Sequence, residues 1–385
     1  MSTELVQLRA DDFEDAMDFM NMVFSAHGPI DFTQLLPVLY QPDDELMGYN
    51  WAVRENGRIR AVVGSFPMQW QLGDATLEIA GIGGVSSHPR ARGAGYMRQL
   101  MQHCVERMRD EKKHLSWLGG QRQRYGYFGY EKCGTAHSFS LDKTNLRHVY
   151  GSDASTISFR ALAADDLTHL KGAKELYDAQ PFRCLRPLES FHSMLCSWRH
   201  RPQIALAADG RMVGYLVASP NGDSVSELFA VEEGHPDLDI ARAWTEQQSG
   251  HSVRFELPPW HRLVLPLGRI AESFSTGSTG NWQIFNWVAT LDALLKLRAT
   301  VGPLVDGRAV IAIEDYGHIS LEVAGGEAVC TASKDAADLH VGAFTAHRLF
   351  FGPLPPSAVV DLPAQLTALE QWCPLPLFWA KQDGV

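Results

Sequence analysis

The sequence predicts an α+β protein of two tandem mixed-sheet units followed by a smaller α+β unit, and three observations lead there. The early segments run helix, antiparallel meander, helix, which differs from the regular alternation of a doubly wound sheet. The polar stretch Lys143–Ser158 and a change of pattern after 283 divide the chain at 1–150, 151–283 and 284–385. At 385 residues it is also too long for one ordinary hydrophobic core.

In the first unit, Asp11-Asp12 precede Phe13, Met17, Met20 and Val23, apolar positions at helical spacing after a short strand. Trp51–Arg54, Asn56-Gly57 and Ile59–Met68 spell a hairpin, and a reversal at Gly73-Asp74 leads into Leu77–Ser87. The period then changes: Met97, Leu100, Met101, Cys104, Val105 and Met108 share one face of a helix running to about Glu111. His114–Leu118 reads as a buried strand. The second unit repeats this order with a helix after Asp165-Asp166 and strands Ile204–Ala208 and Met212–Ala218 around Asp209-Gly210, and it lacks the glycine turn of the first. Ser273–Gly280 reads as a linker or mobile loop. The third unit holds a helix with Leu291, Leu294, Leu295 and Leu297, strands Ala309–Glu314, Gly317–Val323 and Ala328–Ala332, and helical segments Asp335–Ala343 and Pro363–Trp372.

Composition narrows the function classes. Hydrophobic residues at 45% and charged residues at 21% describe a globular chain, and no run of about 18 apolar residues suggests a membrane span. The first residues lack the basic and apolar pattern of a secretory signal, so the expectation is cytoplasmic. Six cysteines without a CxxC pair argue against a disulfide framework and a thiolate zinc site, and His200, His235, His251 and His261 lack metal-ligand spacing, so no metal is expected. A net charge of −11 opposes nucleic acid and suits a cationic partner, although a solvated surface alone accounts for it equally well.

Against that background Arg90–Lys113 carries seven Arg/Lys and three Asp/Glu. Its start, Arg90-Ala-Arg92-Gly93-Ala94-Gly95, opens the best amphipathic helix in the chain directly after a strand. Glycines permit a sharp turn that brings backbone N–H groups toward an anion, and the helix dipole and two arginines add positive potential. This suits linked phosphates. The chain lacks GxxxxGK[ST], and Gly81-Ile-Gly83-Gly-Val-Ser86 ends in serine where a dinucleotide fingerprint has glycine.

Val85–Leu100 resembles the acetyl-CoA-binding signature of the GNAT acetyltransferases, and Arg124-Tyr125-Gly-Tyr-Phe128-Gly129-Tyr130 is similar to a block of the Eis-like subfamily, named for enhanced intracellular survival. The three-unit plan fits as well: a GNAT domain, a second GNAT-like domain without a working cofactor turn, and a sterol-carrier-like domain. The resemblance implies acetyl-CoA as co-substrate at Arg90, Arg92, Gly93, Ala94 and Gly95, with the acetyl carbonyl held by amides of the bulged strand around Gly83 and Val85. It implies Tyr125 as general acid toward the leaving thiolate, since a phenol titrating near about 10 can protonate it. It also implies the carboxylate of the last residue, here Val385, as the base, although Phe378–Val385 departs from the aromatic ending of those proteins; Glu78 is the base in the wider GNAT pattern. Tyr127 and Tyr130 read as packing residues.

The implied activity is acetyl transfer to a primary amine of a small cationic molecule or to a peptide lysine, by a homo-oligomer of three or six chains. A rival from another class is a lipid- or sterol-binding protein whose GNAT half is vestigial.

Overall fold

The computed structural model describes residues 2–385 and forms three sheets. The first has eight strands: Thr3–Gln7, Asn50–Glu55, Arg58–Leu72, Ala75–Ser87, Leu115–Leu118, Gly280–Ile284 and Glu131–Cys133 in order, with Phe182–Cys184 paired to Arg58–Leu72. Its one parallel pair is Ala75–Ser87 with Leu115–Leu118, joined by a crossover through helix Tyr96–Asp110. The Asn56-Gly57 turn forms as its residues demand, with φ of 50° and 76° for the two positions.

Alternation along the strands sends side chains to opposite faces. Ala52, Val62 and Phe66 pack with Met17, Phe19 and Met20 of helix Phe13–Phe24. Val53, Ala61 and Val63 pack with Leu100, Met101, Cys104, Val105 and Met108 of helix Tyr96–Asp110, the face expected from the spacing.

The second sheet has seven strands: Ser273–Gly277, Ala136–Asp142, Ser252–Leu257, Ser224–Ala230, Met212–Ala218, Arg201–Leu206 and Ser158–Ala161. It too has a single parallel pair, Ser224–Ala230 with Ser252–Leu257, linked through helix Asp237–Gln247. Ser273–Gly277, expected as linker, is an edge strand: its backbone pairs with Ala136–Asp142, and the Phe274 and Phe139 rings stack at 6.1 Å. Pairing overrides composition there.

The third sheet runs Glu327–Ala332, Gly317–Ala324, Gly307–Ile313 and Leu339–Val341, under helix Trp287–Val301. Within Asp335–Ala343, expected as helix, Leu339–Val341 instead adds a parallel strand to Gly307–Ile313, and the helix begins at Ala343. Pro363–Trp372 holds only short turns of helix, Ala364–Leu366 and Ala368–Trp372. The architecture is thus α+β, with two mixed sheets in tandem and a smaller third unit. No helix of the described residues is long and apolar enough to cross a membrane.

The last residues return to the first two sheets. The Trp379 ring stacks on Trp117 at 4.3 Å with an interplanar angle of 2°, and from there Lys381–Val385 runs on toward Ala75–Ser87.

Candidate active site

Strand Ala75–Ser87 changes register against Arg58–Leu72: Val62 pairs with Ser86 and Gly64 with Gly83, so Gly84 and Val85 together oppose Val63. That is a bulge, and Gly84 accommodates it with φ of 60°. A side chain at Gly84 would collide with Met20 Cε at 2.7 Å and the Tyr40 hydroxyl at 2.8 Å, so glycine is required by space as well. The parallel ladder to Leu115–Leu118 ends at Ile82 opposite Leu118, and beyond it Gly83–Ser87 has lost that neighbour. Strand edge and bulge therefore open together.

The turn that follows carries the predicted anion-binding residues. His88 Nδ1 accepts from the Arg90 N–H at 3.1 Å and starts a turn of 3-10 helix, Pro89–Ala91. Gly93 and Gly95 have φ of 87° and 83°, while the space beside both is open. Conformation, not crowding, selects glycine at these two positions. Helix Tyr96–Asp110 starts at Gly95 without a side-chain cap and without an acid in its first turn, leaving its first N–H groups to an outside acceptor. Arg90, Arg92, Gly93, Ala94 and Gly95 are all exposed around that end. The Tyr96 hydroxyl donates to Glu55 Oε1 at 2.9 Å and fixes the first turn to the sheet.

Tyr125 sits in helix Arg122–Gly126, 6% exposed, in one apolar cluster with Ile82, Leu118 and the flanking Val85, Tyr96 and Met97. The fold thereby gathers the tyrosine, the bulge and the start of helix Tyr96–Asp110. Burial pushes the Tyr125 phenol above its ordinary value, with Arg124 opposing. Tyr130 is a packing residue as expected, its hydroxyl 2.8 Å from Ser116 Oγ. Tyr127 is not: it is 84% exposed, because the turn after the short helix points it outward.

Val385, partly exposed, lies against the buried glycines of the bulged strand. A Cβ at Gly83 would stand 2.6 Å from the Val385 carboxyl carbon, and one at Gly81 would stand 2.7 Å from its Cγ2. Glycine at 81 and 83 makes room for the tail. Asp383 and Gln382 are buried behind it. Arg186 Nε donates to Asp383 Oδ1 at 2.7 Å, Arg186 Nη2 to Glu227 Oε1 at 2.6 Å, and Ser226 Oγ to Gln382 Oε1 at 3.1 Å. Burial pushes Glu227 upward while Arg186 holds it down.

Glu78 is engaged elsewhere, accepting from Gln69 Nε2 at 2.6 Å with Lys113 Nζ at 3.6 Å. Sequence reasoning missed Arg186, Glu227, Asp383 and Tyr40, which belong to no motif. Tyr40 is 2% exposed with a hydroxyl that has no partner, and burial raises its phenol. Among the described residues no group of three or more His, Cys, Asp and Glu gathers to hold a metal.

Comparison with known proteins matches residues 4–133 to the family model for the acetyltransferase (GNAT) domain. The chain thus carries an acetyltransferase domain of the GNAT kind, an enzyme domain whose fellows use acetyl-CoA. No curated protein matches. Among solved structures, the GCN5-related N-acetyltransferase from Kribbella flavida is 20% identical with a TM-score of 0.67, covering 100% of this chain and 98% of that one. A probable N-acyltransferase from Enterococcus faecalis V583 is 15% identical with a TM-score of 0.69, covering 98% and 99%. Eis1 from Mycobacterium abscessus is 14% identical with a TM-score of 0.65, covering 100% of each. These likenesses extend the shared fold over the whole length.

Proposed function

We propose that the chain is an acetyl-CoA-dependent N-acetyltransferase that acetylates a primary amine, on a small cationic molecule or a lysine side chain, by direct attack. The observation that carries this reading is one bulged strand that leads to an uncapped, arginine-flanked helix start, packs a buried tyrosine with Ile82 and Val85, and meets the Val385 carboxyl group at Gly83.

An amine titrating near about 10 is mostly protonated at neutral pH, so it needs a proton acceptor. The Val385 carboxylate, against Gly83, takes the amine proton. Attack of the neutral amine on the carbonyl carbon forms the N–C bond and a tetrahedral oxyanion, whose collapse breaks the C–S bond. N–H groups of the open strand edge around Gly83 and Val85 stabilise the oxyanion, and Tyr125 passes its proton to the departing sulfur. Arg90, Arg92 and the amides of Gly93, Ala94 and Gly95 hold the linked phosphates. The chain's net charge of −11, with a carboxylate at the site, favours a cationic acceptor.

We carry the domain reading forward on the same footing, 1–150 catalytic, 151–283 GNAT-like without a cofactor turn, and 284–385 sterol-carrier-like, in a trimer or hexamer, with strand Ala136–Asp142 crossing into the second sheet and Phe182–Cys184 and Gly280–Ile284 into the first. Leu291 and Leu294 of helix Trp287–Val301 pack with Ile319, Leu321 and Cys330 of the third sheet in one buried cluster, which gives the lipid-binding alternative no support. The direct test follows thiol release from acetyl-CoA with a panel of polyamines, aminoglycosides and lysine peptides, beside calorimetry with coenzyme A. Turnover with at least one amine is expected. No turnover on any amine together with no coenzyme A binding overturns the proposal.

A further inference from the structure

The second sheet does more for the site than flank it. The geometry points to Arg186 as a positioning residue that clamps Asp383 and so holds the Val385 carboxyl group at Gly83. This rests on the reading that the Val385 carboxylate takes the amine proton.

Arg186 is fully enclosed, its side chain 0% exposed. The guanidinium lies over the Tyr177 ring at 4.1 Å and uses Nε for Asp383 and Nη2 for Glu227 on strand Ser224–Ala230. The Tyr215 hydroxyl donates to the other Glu227 oxygen at 3.2 Å. One cation thus bridges two carboxylates from segments far apart in sequence, which a lysine point charge cannot do with the same direction.

Stability alone explains this cluster poorly. Replacing a buried ion cluster by apolar groups of the same volume is often neutral or stabilising. What the fork supplies is a fixed place for Asp383. Gly384 alone separates Asp383 from Val385, so a shift at the first is transmitted to the second.

Gly384 is itself gripped. A Cβ there would meet Trp198 Nε1 at 2.7 Å, and the Lys381 ammonium lies over the Trp198 ring at 5.7 Å. Trp198 and Arg199 have φ of 60° and 61°, a left-handed conformation that side-chain-bearing residues adopt only when the surroundings enforce it. The strained pair sits where the tail docks. Ser226 adds its bond to Gln382 from the same strand as Glu227.

The test uses the full chain with the double substitution Arg186→Met, Glu227→Met, which removes the cation and one of its two carboxylates, keeps apolar volume and leaves Asp383 without its clamp, and Asp383→Asn, which retains an acceptor for Arg186. Hydrogen exchange of the peptide spanning 376–385 reads docking without reference to catalysis. Exchange about tenfold faster in the double variant is expected, with the ladder between Arg58–Leu72 and Ala75–Ser87 unchanged. Turnover at saturating substrates falls about 100-fold while the acetyl-CoA KM stays within about twofold, and Asp383→Asn retains most of the turnover.

In a chain lacking Val385, the same double substitution then produces no further fall in kcat. A tail that stays protected in the double variant overturns the role of Arg186 and leaves the base reading standing. An equal loss of kcat with and without Val385 does the same. Unchanged turnover on deleting Val385, which withdraws the terminal carboxylate from Gly83 by one residue, about 3.5 Å, overturns the base reading instead, and the positioning role with it.

Discussion

The first and second sheets run the same course and arrive at opposite chemistry. In each, a strand leads through a turn into a helix that crosses over to a parallel strand: Ala75–Ser87, Tyr96–Asp110 and Leu115–Leu118 in one, Ser224–Ala230, Asp237–Gln247 and Ser252–Leu257 in the other. The first turn carries Arg90 and Arg92 with two glycines, and its helix has no first-turn acid. The second carries Glu232 and Glu233, and its helix opens on Asp237 and Asp239 after Pro236. Its strand end is also occupied. Arg262 Nη2 donates to the carbonyls of Ala230 and Val231 at 2.6 and 3.0 Å while pairing with Asp237, and His261 Nε2 donates to the Leu228 carbonyl at 2.7 Å. A splayed strand and a helix start are therefore a scaffold and no more. Turn charge and whatever fills the open edge decide whether it binds an anion, and the second sheet turns Ser226 and Glu227 to holding the tail instead.

The largest expected effect breaks the first site at Tyr125, its proposed acid. Tyr125→Phe lowers kcat by about 10²–10⁴-fold if the phenol protonates the leaving thiolate. Because burial raises this phenol, it keeps its proton to higher pH than an exposed one. The wild-type kcat accordingly shows no alkaline fall below about pH 10, and a pH–rate profile of both proteins checks both statements. Turnover within about twofold of wild type removes Tyr125 from the acid role.

Next comes the contact between the sheets' two contributions. Gly83→Ala puts a methyl 2.6 Å from the Val385 carboxyl carbon and pushes the tail away. A loss in kcat of about 100-fold is expected, with coenzyme A affinity held because the turn is untouched. Calorimetry and steady-state kinetics separate the two. A smaller effect falls on the donor side: Arg90→Glu with Arg92→Glu weakens coenzyme A about 10-fold to 100-fold, more at low salt than at high, while kcat at saturation changes little. Loss of kcat without loss of affinity would show that these arginines do something other than hold phosphate.

What was legible in the sequence was local. Asn56-Gly57 announces its hairpin because two consecutive left-handed residues admit few side chains. The stripe from Leu100 to Met108 announces a buried helix face, and the glycines at 93 and 95 announce a turn. Gly280–Ile284 announces nothing about lying between Leu115–Leu118 and Glu131–Cys133, since a strand carries no mark of which distant strand it joins. Ser273–Gly277 reads as linker by composition and is a strand by pairing. The same limit applies to the site. Tyr125 and the turn stand within one stretch of chain, whereas Arg186 meets Asp383 across 197 positions and Tyr40 reaches Gly84 by packing alone.

The comparison yields one more expectation, and it is the smallest. If turn charge alone separated the two sheets, Glu232→Arg with Glu233→Arg would convert the second into a coenzyme A site. Arg262 argues otherwise, since it already occupies the Ala230 and Val231 carbonyls and its partner Asp237 keeps a carboxylate at the helix start. Desolvating that pair to admit a phosphate leaves a charge without its partner. Calorimetry on the double variant should show one coenzyme A per chain, as in the wild type, with affinity changed by less than about twofold. Adding Arg262→Ala and Asp237→Ser opens the edge and removes the acid, and only that fourfold variant is expected to bind a second, weak equivalent.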